Sequence, residues 1–245
     1  MTNNSRLVSP KTQKSSRSDA ITGMRKVISE KMLASIQTTA QFTLHFYADA
    51  TKVRDLRKRL KNSSLELNDV TINDIMLYVT AKSLAEFAEI NAHFSEGVLQ
   101  HFDQVNLGFA VDVKDGLMVP VLKDADKMSL KQISKTAKSI ANDCRQGSIK
   151  PQDMAGGTFT VSNLGSLEIE MFTPILNVPE VGILGIGGIN PRTIRRNGVV
   201  EFVDMIALSL TVNHQVIDGA VGARFSKLLK KNIENVDILV VKYLS

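Results

Sequence analysis

Residues 205–212 alternate, with Ile206, Leu208, Leu210 and Val212 on one side and Ala207, Ser209 and Thr211 on the other. A period of two marks a strand with one face in a core. After Asp218 the rhythm changes. Val221, Phe225, Leu228 and Leu229 recur at offsets of four, seven and eight, which predicts a helix with one apolar face and Asp218 as its N-cap. The same two rhythms organise the rest of the chain. Residues 21–36 read as a helix striped by Met24, Val27, Ile28, Met32 and Ile36, and residues 71–87 as a long apolar helix buried on most of its surface. Ser129 with Gln132 three residues on is a capping-box pattern. It opens a helix whose face is Leu130, Ile133, Ala137, Ile140, Ala141 and Cys144, and Gly147 ends it. Phe42, Leu44 and Phe46 alternate with Thr43, His45 and Tyr47 in a strand. Val105, Leu107, Phe109, Val111 and Val113 do so strictly. Lys114-Asp115-Gly116 then turns the chain into a second strand, residues 117–122, where Pro120 demands an edge or a bulge. After the helix that Gly147 ends, strands dominate to Val212, with no internal repeat and no second domain boundary. The expected fold class is α/β (an α+β two-layer domain), a mixed sheet with several helices packed on one side.

Composition narrows this picture. A chain of 245 residues, 43% of them hydrophobic, suffices for one substantial core. No apolar run approaches the roughly 20 residues that span a bilayer, and the N-terminus lacks a hydrophobic secretory segment, so no membrane role is expected. The single cysteine, Cys144, excludes an internal disulfide framework and reads as a small core residue. It suits a reducing compartment, so the expected location is the cytoplasm, or the mitochondrial matrix in a eukaryote. The net charge of +5 is unevenly placed: Arg6, Lys11, Lys14 and Arg17 supply +4 within residues 1–18, leaving +1 for the body. That polar stretch reads as a disordered basic linker (1–18) ahead of one domain (19–245). The body has no basic patch interleaved with aromatics, which argues against a nucleic-acid partner.

The candidate chemistry gathers where strand gives way to helix. His214 occupies that corner, with Asp218-Gly219 four residues on, and imidazole is the side chain best suited to take a proton near neutral pH. Ser162 lies on a strand beyond Gly156-Gly157, sharing a face with Thr158 and Thr160 and opposing Phe159 and Val161. Gly185-Ile186-Gly187-Gly188 has part of a dinucleotide-loop pattern, but Pro191 and a polar turn stand where a helix should begin. His214 and Asp218 can offer two metal ligands, yet no third has suitable spacing, so no metal is expected. His45, His93 and His101 are scattered and read as surface or hydrogen-bonded core residues.

Two segments together carry a family resemblance: His214-x-x-x-Asp218-Gly219, and residues 156–165, Gly-Gly-Thr-Phe-Thr-Val-Ser-Asn-Leu-Gly. They resemble motifs of the dihydrolipoamide acyltransferases, core components of 2-oxo acid dehydrogenase complexes, to which chloramphenicol acetyltransferases are related. Residues 105–120, 172–177 and 179–185 extend the likeness over about residues 20–240. It implies a chloramphenicol-acetyltransferase-like fold, homotrimers with a site at each subunit interface, and cubic or icosahedral assemblies of trimers in larger members. It implies transfer of an acyl group, first of all acetyl, between dihydrolipoamide and coenzyme A. The lipoyl group would arrive on a lipoyl domain outside these residues, and decarboxylase and dihydrolipoamide dehydrogenase components would be partners. By the same resemblance His214 is the base, Ser162 the oxyanion donor, and Asp218 an ion-pair partner of Arg25 on the first helix. Gly219 would permit a tight turn and close helix approach, and the apolar residues 236–244 would dock into a neighbouring trimer, in preference to the alternative of a tail folded back on its own domain. Two departures stand out. Asn213-His214-Gln215 replaces the family's Asp-His-Arg, so two charges vanish together. Residues 166–171, with Glu168 and Glu170, replace a more glycine-rich stretch. A non-catalytic scaffold and a coenzyme A-dependent acetyltransferase for a small hydroxyl acceptor are the competing functions.

Overall fold

A computed structural model describes residues 19–62, 67–114 and 116–242. The linker expected over residues 1–18 lies outside them. In chain order the elements are α1 (Gly23–Thr38), β1 (Gln41–Asp49), α2 (Thr51–Lys61), α3 (Ile72–Ala85), β2 (Ala92–Ser95), β3 (Val98–His101), β4 (Leu107–Phe109), β5 (Val111–Val113) and β6 (Gly116–Met118). Then come β7 (Val121–Leu122), α4 (Leu130–Gln146), β8 (Phe159–Asn163), β9 (Gly182–Arg196), β10 (Val199–Asn213), α5 (Gly219–Glu234) and α6 (Val236–Lys242). One mixed six-stranded sheet runs β1-β10-β9-β8-β4-β7, with β9, β8 and β4 mutually parallel and the other pairings antiparallel.

Alternation decides what each face of this sheet does. Phe42 and Phe46 of β1, Leu208, Leu210 and Val212 of β10, Leu184 and Ile186 of β9, and Phe159 and Val161 of β8 enter one core with the apolar residues of α2 to α6. The opposite face is polar: Thr43 meets Thr211 (2.8 Å between hydroxyls) and His45 meets Ser209 (Nδ1 to Oγ, 2.9 Å). Helix α3 is buried from Asp74 to Leu84, as its unbroken apolar run predicts. The α4 capping box forms as read: the Ser129 hydroxyl accepts from Gln132 N (3.2 Å), and Gln132 Oε1 accepts from Ser129 N (2.7 Å). Gly147 ends that helix in the left-handed region (φ 70°).

Four features differ from the sequence reading. Helix α2 was not predicted, because lysines and arginines surround its apolar residues; yet Val53, Leu56 and Leu60 all reach the core. The expected strand through residues 105–113 divides at Ala110, whose N–H bonds Val161 O (2.9 Å), while β5 and β6 leave the sheet as their own hairpin. Pro120 explains the division on the partner side: it cannot donate to the ladder, and β7 beyond it is an edge strand. Strand β10 starts at Val199 rather than Met205, after a tight turn with positive φ at Asn197 and Gly198 (50° and 82°). The C-terminal segment, as far as residue 240, folds onto its own chain: Val236, Leu239 and Val240 are buried and only Ile238 is exposed. No neighbour is needed to cover those three side chains.

The glycines of β9 have a packing purpose instead of a nucleotide-binding one. The segment after Ser162 lies flat on this strand. A Cβ on Gly187 would stand 1.9 Å from Glu170 O, and one on Gly165 would stand 2.4 Å from Gly187 O. Backbone meets backbone there, and neither can retreat. Gly187→Ala is therefore expected to destabilise the fold by about 1–3 kcal/mol or more, and urea unfolding of the purified variant measures it. Unchanged stability would mean that the covering segment is free to lift.

Candidate active site

His214 follows the last residue of β10, and its backbone N–H bonds Ala40 O (2.8 Å). Its ring is exposed and meets Phe42 edge-on, with centroids 5.2 Å apart. Asn213 organises the corner. It is only 2% exposed, and its Oδ1 accepts from Ala40 N (3.3 Å) and Gln215 N (3.1 Å). Its backbone carbonyl accepts from Val216 N (3.1 Å) and Ile217 N (2.9 Å). A neutral side chain thus satisfies the turn on both sides of His214 without burying a charge. This accounts for the missing acidic residue at 213. At Gln215, which is exposed, the accompanying basic residue has no buried carboxylate to answer.

Ser162 lies on β8, half-buried on the polar face, two residues after Thr160. Among the described residues its hydroxyl has no hydrogen-bond partner. Gly165 N is served instead by Asn163 Oδ1 (2.9 Å), and Asn163 Nδ2 donates to Asn73 Oδ1 on α3 (2.8 Å). Asn163 therefore holds the strand end to the helix layer and leaves Ser162 unengaged. Phe172 and Pro174 cover the adjacent Gly185, where a Cβ would meet them at 3.0–3.2 Å. An apolar ring beside an unengaged hydroxyl suits a small acyl group.

One chain does not unite these two side chains. Ser162 pairs with Gly185, and Gly185 with Ser209, so Ser162 sits two strands across and five residues along from His214. At ordinary strand dimensions that is about 20 Å. Nor does it join Asp218 to Arg25. Asp218 has the backbone of an N-cap but makes no capping bond with its side chain, and no ion pair links it to Arg25, whose guanidinium lies beside Gly116. Gly219 proves undemanding: a Cβ there would meet Phe42 at an ordinary 3.5 Å, and its φ is not positive. The expected tight approach is absent.

The remaining candidates have structural partners. Glu170 pairs with Arg192, whose guanidinium stacks on Tyr47 at 3.8 Å from the ring centre, while Glu168 is exposed. His93 Nε2 lies 2.7 Å from Gly157 O, and His101 Nδ1 3.4 Å from Ala88 O. Cys144 is buried, and burial pushes its thiol up, away from nucleophilic behaviour. A residue that periodicity did not single out is Glu180. It is buried against Thr160, and burial raises its carboxyl from 4.5 to about 7, against the opposing pull of its bonds to Thr160 and Asn177.

Residues 13–241 match the family described as 2-oxoacid dehydrogenases acyltransferase (catalytic domain), and the chain belongs to that family. Over 220 residues it is 31% identical to the dihydrolipoyllysine-residue acetyltransferase component of the pyruvate dehydrogenase complex of Rickettsia prowazekii (strain Madrid E), covering 89% of this chain and 54% of that one. Over 235 residues it is 34% identical to the corresponding component of the acetoin cleaving system of Bacillus subtilis (strain 168), covering 95% and 59%. The chain spans about half the length of the curated relatives it matches. Among solved structures it is similar to Azotobacter vinelandii dihydrolipoamide acetyltransferase (TM-score 0.87, 29% identity, 91% and 93% covered). It is also similar to the cubic core of a pyruvate dehydrogenase multienzyme complex (TM-score 0.89, 29% identity, 95% and 97% covered). A TM-score of 0.55 at 14% identity, with 84% and 92% covered, shows the fold shared with chloramphenicol acetyltransferase.

The Asn213 geometry yields a prediction. Asn213→Ala leaves two backbone N–H groups unpaired and should cost about 1–3 kcal/mol in stability. Asn213→Asp keeps both acceptor bonds but buries a charge, so thermal unfolding at pH 7 should place it between Ala and wild type. Equal midpoints for all three would remove Asn213 from the corner's support.

Proposed function

We propose that this chain is the catalytic core domain of a dihydrolipoamide acyltransferase, moving an acetyl group between dihydrolipoamide and coenzyme A within a 2-oxo acid dehydrogenase complex. The observation that carries the reading is a pair of unspent groups: an exposed imidazole at one sheet corner and, two strands away, a hydroxyl without a partner among the described residues. On this reading the pair are the two halves of one site, contributed by neighbouring copies in a homotrimer. The acetyl assignment follows the pyruvate and acetoin systems of the relatives. The lipoyl domain, the decarboxylase and dihydrolipoamide dehydrogenase would be its partners, in the cytoplasm or the mitochondrial matrix.

The chemistry follows from the side chains. A thiol with pKa near 8.5 is only a few per cent ionised at pH 7. Neutral His214 takes the thiol proton, the sulfur attacks the thioester carbonyl, and a C–S bond forms as the carbonyl π pair moves to oxygen. The Ser162 hydroxyl donates to that oxyanion. The intermediate collapses, the second C–S bond breaks, and the departing sulfur takes its proton back from the imidazolium. No net oxidation occurs. The Azotobacter vinelandii enzyme was investigated for the role of a serine, a histidine and an asparagine in its catalytic mechanism, the last two being four residues apart. His214 and Asp218 have that spacing. An amide at the second position argues that Asp218 serves as a hydrogen-bonding and shaping group rather than as a proton carrier.

Acetyl transfer from acetyl-coenzyme A to free dihydrolipoamide is the direct test. Ser162→Ala should lower turnover about 100- to 1,000-fold, and His214→Ala should reduce it to background. Mixing the two variants after dissociation and reassembly should restore about a quarter of wild-type activity, since only sites pairing intact His214 with intact Ser162 across an interface can work. No recovery on mixing would place both groups in one chain's site or in none. A preference for an alcohol acceptor, or wild-type turnover no faster than His214→Ala, would overturn the reading.

A further inference from the structure

Glu180 is a buried carboxyl that acyl transfer leaves unused. It precedes β9 and is 3% exposed. Its Oε2 accepts from the Thr160 hydroxyl (2.6 Å) and its Oε1 from the Asn177 amide (2.8 Å), and Asn177 Nδ2 also reaches Thr160 Oγ1 (3.3 Å). The backbone of Glu180 bridges that of His93 on β2, and a Cβ on Gly157 would lie 3.0 Å from Oε1. Three side chains thus clamp β8 to the segment that feeds β9. Thr160 and Ser162 share one face of β8, so the clamp holds the residue that sets where the Ser162 hydroxyl stands.

We propose that Glu180 is a positioning residue for Ser162: its protonated carboxyl keeps β8 clamped through Thr160 and Asn177, and its ionisation loosens that clamp. The inference rests on Ser162 acting in acyl transfer. Burial favours the neutral acid and brings its titration to about pH 7, while the two hydrogen bonds and the charge of Lys31 pull the other way. The charged and titratable groups around the cluster are Lys31 from α1, His93 from β2, and Lys123 after β7, whose amine donates to Ala155 O. None forms an ion pair with Glu180 among the described residues, so an ionised Glu180 keeps its two donors but has no ion pair to offset its desolvation. The folded carboxyl titrates above its unfolded value of 4.5. Its contribution to stability is therefore complete below about pH 4.5 and is lost as pH rises through about 7.

Glu180→Gln keeps the shape and cannot ionise. Hydrogen exchange of the peptide spanning residues 158–164, corrected for the intrinsic rate, is compared at pH 6 and pH 8 in the intact assembly. Protection in wild type should fall about tenfold and stay level in the variant. Acetyl transfer by the wild type should also fall as pH rises beyond about 7, and the variant should show no such fall. Level wild-type protection overturns the proposal without any variant, as does an equal fall in both proteins. Different exchange with identical pH–rate profiles also overturns it, by separating the clamp from Ser162. If exchange differs and neither protein transfers acetyl, the proton-dependent clamp is upheld and the transferase reading fails.

Discussion

The ladder that joins β8 to β9 and β9 to β10 sets the distance between Ser162 and His214, the two groups on which the proposed chemistry depends. Register along it is strict, because one face of every strand is committed to the core: a slip of one residue would turn Leu184, Leu210 and Val161 outward. With the register set, Ser162 and His214 are held roughly 20 Å apart in any single copy. Packing of this sheet bears directly on the proposed chemistry, since it keeps the two groups apart within a single copy. On the proposed reading, the sheet presents each half of the site in a defined place for a neighbouring copy to complete. The apolar residues that α1 leaves exposed, among them Met24, Val27, Leu33 and Ile36, are a further surface that the isolated chain does not cover.

Around each half the fold solves a different polar problem. At the His214 corner the difficulty is a tight turn at the end of a strand, and a buried neutral amide satisfies the N–H groups of Ala40 and Gln215 on either side of the histidine. An acid there would need a counter-charge to offset its desolvation, and this chain has replaced both members with amides. At Ser162 the difficulty is the reverse. Its polar neighbours on β8 are engaged elsewhere: Thr160 with Glu180, and Asn163 with Asn73 and Gly165. The serine is thereby left as the hydroxyl with capacity to spare. Glycines 165, 185 and 187 complete the arrangement by letting the covering segment lie against β9, which sets Phe172 over Gly185, the strand partner of Ser162.

Local rhythm alone determined much of this. The strand that ends at His214, the helix that Asp218 opens, the α4 helix with its capping box, and the face that carries Ser162 were legible because side-chain period and capping chemistry are properties of neighbouring residues. Motif spacing made the family legible too. Helix α2 was hidden because three apolar residues among lysines and arginines give a weak signal, although burying them suffices once a core exists. The break at Ala110 was equally hidden, since a strictly alternating run cannot reveal that its second half will leave the sheet with a different partner.

Only tertiary structure decided the rest, for one physical reason: contacts between residues distant in sequence leave no periodic trace. The glycines of β9 read as loop residues until the backbone of Glu170 is seen lying on them. Asp218 and Arg25 read as a pair by resemblance, and no ion pair joins them among the described residues. Glu180 is an unremarkable acid in the sequence, and its burial against Thr160 and Asn177, which shifts its proton affinity, exists only once the sheet has closed around it.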